Sequence, residues 1–185
     1  MQNLPYPTPS VIDNHGYVLL IDCVAHLLSL NDNFTKSSLS TDNVPSMISN
    51  IMESTAVAAI RKRASVHSRT HDVMSMFCTE WSDDFDPSVS IKANRQSCWI
   101  KTVTIMSCNS NDTVDKMGTT FPIALGKKGH SHEAVELKFA EELCILQSGN
   151  CSMYSKAYGY VVPIYLELLV SLQDQPERRG MNHLC

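Results

Sequence analysis

The chain has 185 residues, of which 43% are hydrophobic and 18% are charged, and its formal net charge at pH 7 is −4. This length and composition exclude wholesale disorder, and they predict a domain that buries enough apolar surface to fold without a disulfide or a structural metal. The negative net charge excludes a generally basic surface for nucleic acid, so any contact with DNA must be local.

The sequence also predicts a reducing, non-membrane environment. Its seven cysteines are an odd number, are widely scattered and form no C-x-x-C pair. This pattern indicates reduced thiols rather than a disulfide framework or a zinc ribbon. The N-terminus lacks the regions of a signal peptide, and no stretch reaches roughly 18 consecutive apolar residues. We therefore expect an intracellular protein with neither a membrane partner nor a small-molecule cofactor.

The first part of the chain has mainly helical periodicity. Residues 1–16 are proline-rich and predict an irregular lead-in, whereas residues 17–30 carry apolar residues at helical spacing. A second helical face follows over residues 48–59. We interpret residues 1–72 as a helical N-terminal segment.

After this segment the pattern changes to that of strands. Residues 73–81, 97–107 and 119–125 are short runs rich in Val, Ile, Thr, Phe and Trp, separated by Asn, Asp, Gly and Ser. Three consecutive short strands predict an antiparallel meander.

A helix and a fourth strand are predicted to follow the meander. Residues 131–147 have one apolar stripe that stops at Gly149, which predicts a helix packed on the sheet. The stripe consists of Val135, Phe139, Leu143 and Leu146. Residues 160–172 are almost continuously apolar, as in a strand that is covered on both faces. Because a crossover helix precedes it, we expect this strand to lie parallel to the first strand.

Acidic residues follow the first and fourth predicted strands. Asp83 and Asp84 end the first strand, and Asp174 comes directly after the fourth. Strand order and acid positions together are those of the ribonuclease-H-like fold, so we predict that residues 73–185 form a partial domain of this α/β class. The aspartates would hold Mg²⁺ or Mn²⁺ ions about 4 Å apart for phosphodiester cleavage and strand transfer.

Three segments resemble motifs of eukaryotic cut-and-paste DNA transposases of the CACTA-like and Plavaka-like kind. They are residues 81–87 (WSDDFDP), 94–104 (NRQSCWIKTVT) and 174–178 (DQPER). The resemblance implies a nuclear protein that is a fragment or derivative of such a transposase. These enzymes need a third carboxylate from a later helix, and none is identified here before Cys185. We therefore expect an ancestral DNA-cleaving activity that the 185-residue chain no longer shows.

One basic cluster is the candidate contact with DNA. Arg61, Lys62, Arg63 and Arg69 lie within residues 61–71 of an otherwise acidic chain. The alternative is an ordinary solvated helix end, whose cations complement the helix dipole.

The acidic residues also have a non-catalytic interpretation. Asp83, Asp84 and Asp86 are typical of a solvent-exposed turn. Asp174 is typical of a turn or helix cap before Pro176. In that case the chain is a non-enzymatic α/β interaction module, and its acids never meet a metal.

The histidines suggest a third hypothesis, a zinc-dependent binding module. His67 and His71 have i, i+4 spacing, and His183 lies close to Cys185, but no four ligands have recognisable spacing. His130 and His132 are interpreted as exposed polar residues at the start of the helix.

Overall fold

The computed structural model describes residues 7–30, 54–67, 73–85, 97–108 and 119–173. Seven strands and three helices lie in these ranges, which confirms the α/β class. The strands are β1 (Ser10–Ile12), β2 (His15–Tyr17), β3 (Met74–Phe85), β4 (Cys98–Ser107), β5 (Thr120–Lys127), β6 (Cys151–Ser155) and β7 (Tyr160–Gln173). The helices are α1 (Leu20–Leu30), α2 (Thr55–His67) and α3 (Glu133–Gln147). None of the described helices is long and apolar enough to cross a membrane.

The seven strands form one sheet in the order β1-β2-β5-β4-β3-β7-β6. Strands β3, β4 and β5 are an antiparallel meander, as predicted. Strand β7 lies parallel to β3, which confirms the predicted direction of the fourth strand. Strands β5, β4, β3 and β7 form the centre of the sheet. The β1–β2 hairpin extends the sheet beyond β5, and β6 extends it beyond β7.

Helices cover the two faces of the sheet unequally. One apolar cluster joins α1 and α3 to alternate residues of β3, including Met76 and Cys78, and we call this side the α3 face. A smaller cluster joins α2 to Phe77 of β3 and Tyr165 of β7, and we call this side the α2 face. Because strand side chains alternate between faces, even-numbered residues of β3 lie on the α3 face and odd-numbered residues lie on the α2 face.

A bulge changes the register between β3 and β7. Cys78 pairs with Leu168, but the next residue of β3, Thr79, pairs with Val170. The extra residue is Leu169, which packs at the edge of the α2 cluster. Every β7 residue after the bulge is thereby moved to the opposite face from the one that unbroken alternation would give it.

The predicted stripe of α3 is buried, as expected: Val135, Phe139, Leu143 and Leu146 are at most 8% exposed. The same helix supports α1, because the Ile21 amide donates a hydrogen bond to Glu142 Oε2 at 3.1 Å. A carboxylate at this position satisfies an unpaired amide and complements the positive end of the α1 dipole.

Some predicted boundaries were wrong. Residues 10–17 form the β1–β2 hairpin rather than an irregular lead-in, and helix α1 starts at Leu20 rather than at residue 17. Asp13 and Asn14 have φ values of 44° and 66°, as a two-residue hairpin turn of type I′ requires. Strands of three residues are too short to show alternation.

Two further differences concern later elements. Strand β6 was not predicted, because only two of its five residues are buried. Strand β3 continues to Phe85, four residues beyond the predicted end at residue 81. Asp83 and Asp84 therefore lie inside the strand, and the interpretation of these two residues as an exposed turn was wrong. The second helix begins at Thr55, and the part of its predicted face before residue 54 lies outside the described residues.

Gly126 is predicted to be essential for the packing of β2 on β5. A Cβ atom at this position would lie 2.0 Å from the ring of His15, which is 1% exposed. We expect Gly126→Ala to lower the free energy of unfolding by about 1–3 kcal/mol, because the buried imidazole must move. Urea denaturation followed by circular dichroism measures this loss.

Gly16→Ala is the matched control, since its nearest neighbour would be Leu125 O at 3.8 Å. We expect its unfolding free energy to change by less than about 1 kcal/mol. An equal loss in the two variants would contradict the proposed clash with His15.

Candidate functional site

The predicted acidic site lies where β3 and β7 end side by side. Ser82 pairs with Gln173, the last residue of β7, and Asp83 is the next residue of β3. Asp174, the third predicted acid, lies outside the described residues. The structure therefore places Asp83 and Asp84 of β3 beside the end of β7.

Asp83 and Asp84 lie on opposite faces of the sheet. Asp84 is on the α3 face, where its Oδ2 atom is 2.9 Å from Lys128 Nζ. Asp83 is on the α2 face by strand alternation, and its Oδ1 accepts a hydrogen bond of 2.8 Å from the Asp84 amide. No ion pair joins Asp83 to another described residue. The two neighbouring aspartates thus have different surroundings and cannot both chelate one ion.

Within the described ranges, no three His, Cys, Asp or Glu side chains are placed to hold a metal ion. A magnesium site therefore needs Asp174 in addition to the carboxylate of β3. Of the residues considered for zinc, His67 is the last residue of α2, and His71, His183 and Cys185 lie outside the described residues.

The basic cluster is partly used in internal contacts. Arg61 Nε donates a hydrogen bond of 2.7 Å to the carbonyl of Cys108. Arg63 forms two bonds with the Glu167 carboxylate, of 2.9 and 2.5 Å, and this partner raises the pKa of its guanidinium. Lys62 is exposed, and Arg69 lies outside the described residues. The two arginines therefore attach α2 to the sheet, a role that the sequence analysis missed.

A buried charge network is a second feature that the sequence analysis missed. Lys101 of β4 is fully buried, and its ammonium lies 2.9 Å from Glu80 Oε1 and 2.8 Å from Glu136 Oε2. Ser171 of β7 donates a 2.9 Å hydrogen bond to the same Glu80 oxygen. The ammonium also lies 4.5 Å from the centre of the Phe139 ring. This network joins three strands and α3, and its burial suits it to holding elements together rather than to binding substrate.

One signal in the sequence pointed to this network. Lys101 occupies a position of β4 between Trp99 and Val103, in the phase of the strand that is buried. A lysine at an inward position needs a paired carboxylate, because an isolated buried charge is very costly. The sequence could not identify the partners, since Glu136 is 35 residues away in the chain.

Three rings form a further cluster near the start of α3. His15 Nδ1 lies 2.9 Å from the carbonyl oxygen of Asp13, which can only accept, so this nitrogen carries a hydrogen. In neutral His15 the Nε2 atom then accepts the 2.9 Å hydrogen bond from His132 Nδ1. His132 stacks on Trp99 with ring centres 3.9 Å apart and planes 10° apart.

This arrangement corrects the interpretation of His132 as an exposed polar residue. Its side chain is half-buried between Trp99 and His15. Burial lowers the pKa of His132, and the neighbouring His15 lowers it further. His130, by contrast, is exposed as predicted.

The described cysteines offer no activated thiol. None of them forms a disulfide. Burial raises the pKa of Cys23, Cys78 and Cys108 to about 12, so these thiols stay protonated at neutral pH. Cys144 is exposed on α3. The geometry therefore gives no support to a buried thiol nucleophile.

Removing the buried ammonium is predicted to be strongly destabilising. Lys101→Met leaves the carboxylates of Glu80 and Glu136 without their cation, at 2% and 13% exposure. We expect a loss of about 3–5 kcal/mol in the free energy of unfolding, measured by urea denaturation.

Two comparison variants test the cause of that loss. Adding Glu80→Gln and Glu136→Gln to Lys101→Met should recover most of it, because no charge is then left buried. Lys138→Met breaks only an exposed pair with Glu141 and should cost less than about 1 kcal/mol. A triple variant as unstable as Lys101→Met would contradict the charge explanation.

Stability is predicted to depend on pH through His132. Its pKa is lowered in the folded state, so protonation favours unfolding. This contribution to stability is present above the unfolded pKa of about 6.5 and is lost as the pH falls below it. Urea denaturation at about pH 7.5 and pH 5.5 should therefore show a larger loss for the wild type than for His132→Asn.

The wild type must be compared with variants, because Glu142 also changes the pH dependence of stability. Burial raises the pKa of Glu142, so its protonation favours the folded state, whereas protonation of His132 favours unfolding. His130→Asn, at an exposed position of the same loop, should keep the wild-type pH dependence. Equal losses in wild type and His132→Asn would contradict the assignment.

No model of a known protein family and no curated protein matches the chain.

Proposed function

We propose that the chain is a ribonuclease-H-like domain derived from a DNA transposase, with an ancestral role in metal-dependent DNA cleavage and strand transfer. The order of the central elements supports this proposal. An antiparallel meander, β3 to β5, is followed by α3 and by β7, which lies parallel to β3. A DNA substrate implies a nuclear location.

The register of β3 and β7 is the observation that carries the proposal. Ser82 and Gln173 are paired, and the next residues of the two strands in the sequence are Asp83 and Asp174. Neighbouring strands are about 4.8 Å apart, and the proposal requires Asp174 to continue the register of β7 beside Asp83, so that both carboxylates reach one metal ion.

Asp83 is the better candidate ligand of the two aspartates in β3. Asp84 is on the opposite face and is paired with Lys128, whereas Asp83 has no described cation beside it. In the proposed site, Asp83 and Asp174 hold Mg²⁺ or Mn²⁺. When bound, the ions would activate the attacking hydroxyl group and stabilise the leaving oxygen.

The sheet also contains additions to the proposed core. The β1–β2 hairpin pairs with the free side of β5, and β6 pairs with the free side of β7. These strands extend the two sides and leave the central order of β5, β4, β3 and β7 unchanged.

The second candidate is a non-enzymatic α/β interaction module. It is favoured by the internal ion pairs of Arg63 with Glu167 and of Asp84 with Lys128, which give two predicted functional residues a structural role. Metal binding separates the two candidates, because only the first needs Asp83 and Asp174 to act together.

Metal binding is predicted to depend on Asp83 and Asp174. The chain should bind Mn²⁺ weakly, and Asp83→Asn or Asp174→Asn should each weaken binding by at least about tenfold, since each removes a direct ligand. Titration calorimetry or paramagnetic broadening measures the affinity. Asp83→Asn should fold normally, because it removes a negative charge from an acidic site.

Asp84→Asn is the matched control from the same strand. It removes only a partly exposed ion pair with Lys128, so we expect its Mn²⁺ affinity to stay within about twofold of the wild type. Indistinguishable titrations of wild type and Asp83→Asn would remove the metal site and favour the interaction module.

A further inference from the structure

The bulge at Leu169 puts two successive residues of β7 on the same face of the sheet. Leu169 packs against the α2 cluster, and the next residue, Val170, pairs with Thr79, an odd-numbered residue of β3. Odd-numbered residues of β3 lie on the α2 face. The bulge therefore reverses the facing of every later residue of β7, compared with unbroken alternation. We call the pairing that unbroken alternation would give the unbulged register.

The bulge decides which aspartate of β3 can meet Asp174. Leu172 lies on the α2 face, and Asp174 is two residues further along the chain. A strand that continues in this register carries Asp174 on the α2 face, beside Asp83. In the unbulged register Asp174 would be shifted by one position and would lie on the α3 face, beside Asp84. That carboxylate is already paired with Lys128.

Burial of apolar side chains does not favour the bulged register. Val170 and Leu172 are 38% and 51% exposed on the α2 face. In the unbulged register they would lie on the α3 face, beside Glu80 and Ser82, which are each 2% exposed. Because burial of apolar surface stabilises a fold, another interaction must hold the register that exposes these two side chains.

The side chain of Ser171 supplies such an interaction. Its hydroxyl group donates a hydrogen bond of 2.9 Å to Glu80 Oε1 on the α3 face. The same oxygen lies 2.9 Å from the buried ammonium of Lys101, so the carboxylate that accepts the bond is itself held in place. In the unbulged register Ser171 would lie on the α2 face, and Glu80 would lose this donor. The hydrogen bond therefore exists only in the bulged register.

We propose that Ser171 is a positioning residue of the metal site. Its hydrogen bond to Glu80 holds the bulged register of β7 and thereby keeps Asp174 on the face that carries Asp83. This inference rests on the proposed function, because it names the contact that brings the two metal ligands together. Ser171 lies on the opposite face and acts through Asp174 alone. Re-aiming a side chain next to a functional site is a recurrent use of β-bulges.

Titration of Ser171→Ala with Mn²⁺ tests the proposal. We expect the affinity to fall by at least about fivefold, because the bulged register loses a hydrogen bond to a charged group and a smaller fraction of the molecules can bind. Ser171→Thr keeps the hydroxyl group, and its affinity should stay within about twofold of the wild type. Thr104→Val is the matched control. It removes the 2.9 Å hydroxyl contact with Thr120 between β4 and β5, and it should leave the affinity unchanged.

A double-variant cycle separates positioning from a general loosening of the structure. If Ser171 acts through Asp174, Ser171→Ala should have no further effect on Mn²⁺ affinity in a chain that already carries Asp174→Asn. A general loosening would weaken binding in both backgrounds and would contradict the proposal. Circular dichroism verifies that each variant is folded.

The register of β7 can be measured without metal. In the wild type, NMR contacts between backbone protons should show Glu80 paired with Ser171. In Ser171→Ala we expect a second set of contacts that pairs Glu80 with Val170, as in the unbulged register. This measurement does not depend on whether the chain binds Mn²⁺.

The two measurements distinguish failure of this inference from failure of the metal site. Equal Mn²⁺ affinity in the wild type and in Ser171→Ala would overturn the positioning role and leave the metal site in place. A lower affinity with an unchanged register would also overturn it. Absence of Mn²⁺ binding by the wild type would remove the metal site itself, and a changed register in Ser171→Ala would then assign the hydrogen bond to the stability of the sheet alone.

Discussion

The buried ammonium of Lys101 is the constraint on which much of this structure depends. An unpaired buried charge costs several kcal/mol, so the fold must bring carboxylates to it from other elements. Glu80 comes from β3 and Glu136 from the first turn of α3. The ion pair with Glu136 therefore helps to hold α3 across the sheet, together with the buried apolar stripe of this helix.

Other contacts follow from the position of α3. The start of the helix places His132 on Trp99, where it meets His15 of the β2 strand. His15 in turn occupies the space above Gly126, which only glycine leaves free. Helix α3, which carries Glu136, is thus connected through the packed rings of His132, Trp99 and His15 to the β1–β2 hairpin at the side of the sheet.

The bulge in β7 has a comparable influence on the proposed site. The extra residue, Leu169, moves Ser171 to the α3 face, where it donates to Glu80, and moves Leu172 to the face that carries Trp81. Without the bulge at Leu169, Ser171 would lie on the α2 face and Leu172 would lie on the α3 face. The pairing of Trp81 with Leu172 and the register of Ser82 with Gln173 are therefore consequences of one inserted residue. Asp83, the candidate metal ligand, lies on the same face as Trp81 by strand alternation.

Much of the architecture could be predicted from the sequence, because it depends on local periodicity. The alternation in β4, the stripe of α3 and the apolar run of β7 are each visible in about ten consecutive residues, and together they predicted the meander, the helix and the parallel strand. Periodicity could not predict β1, β2 and β6, since strands of three to five residues have stability only as additions to an existing sheet. The proximity of the β3 acids to the end of β7 was also predicted, from the order of the elements. Only the tertiary structure decided that Asp84 is paired with Lys128, that His132 is packed on Trp99 and that Arg63 is paired with Glu167. The physical reason is that such partners are more than ten residues apart in the sequence, and which of them meet depends on strand register and helix placement rather than on local propensity.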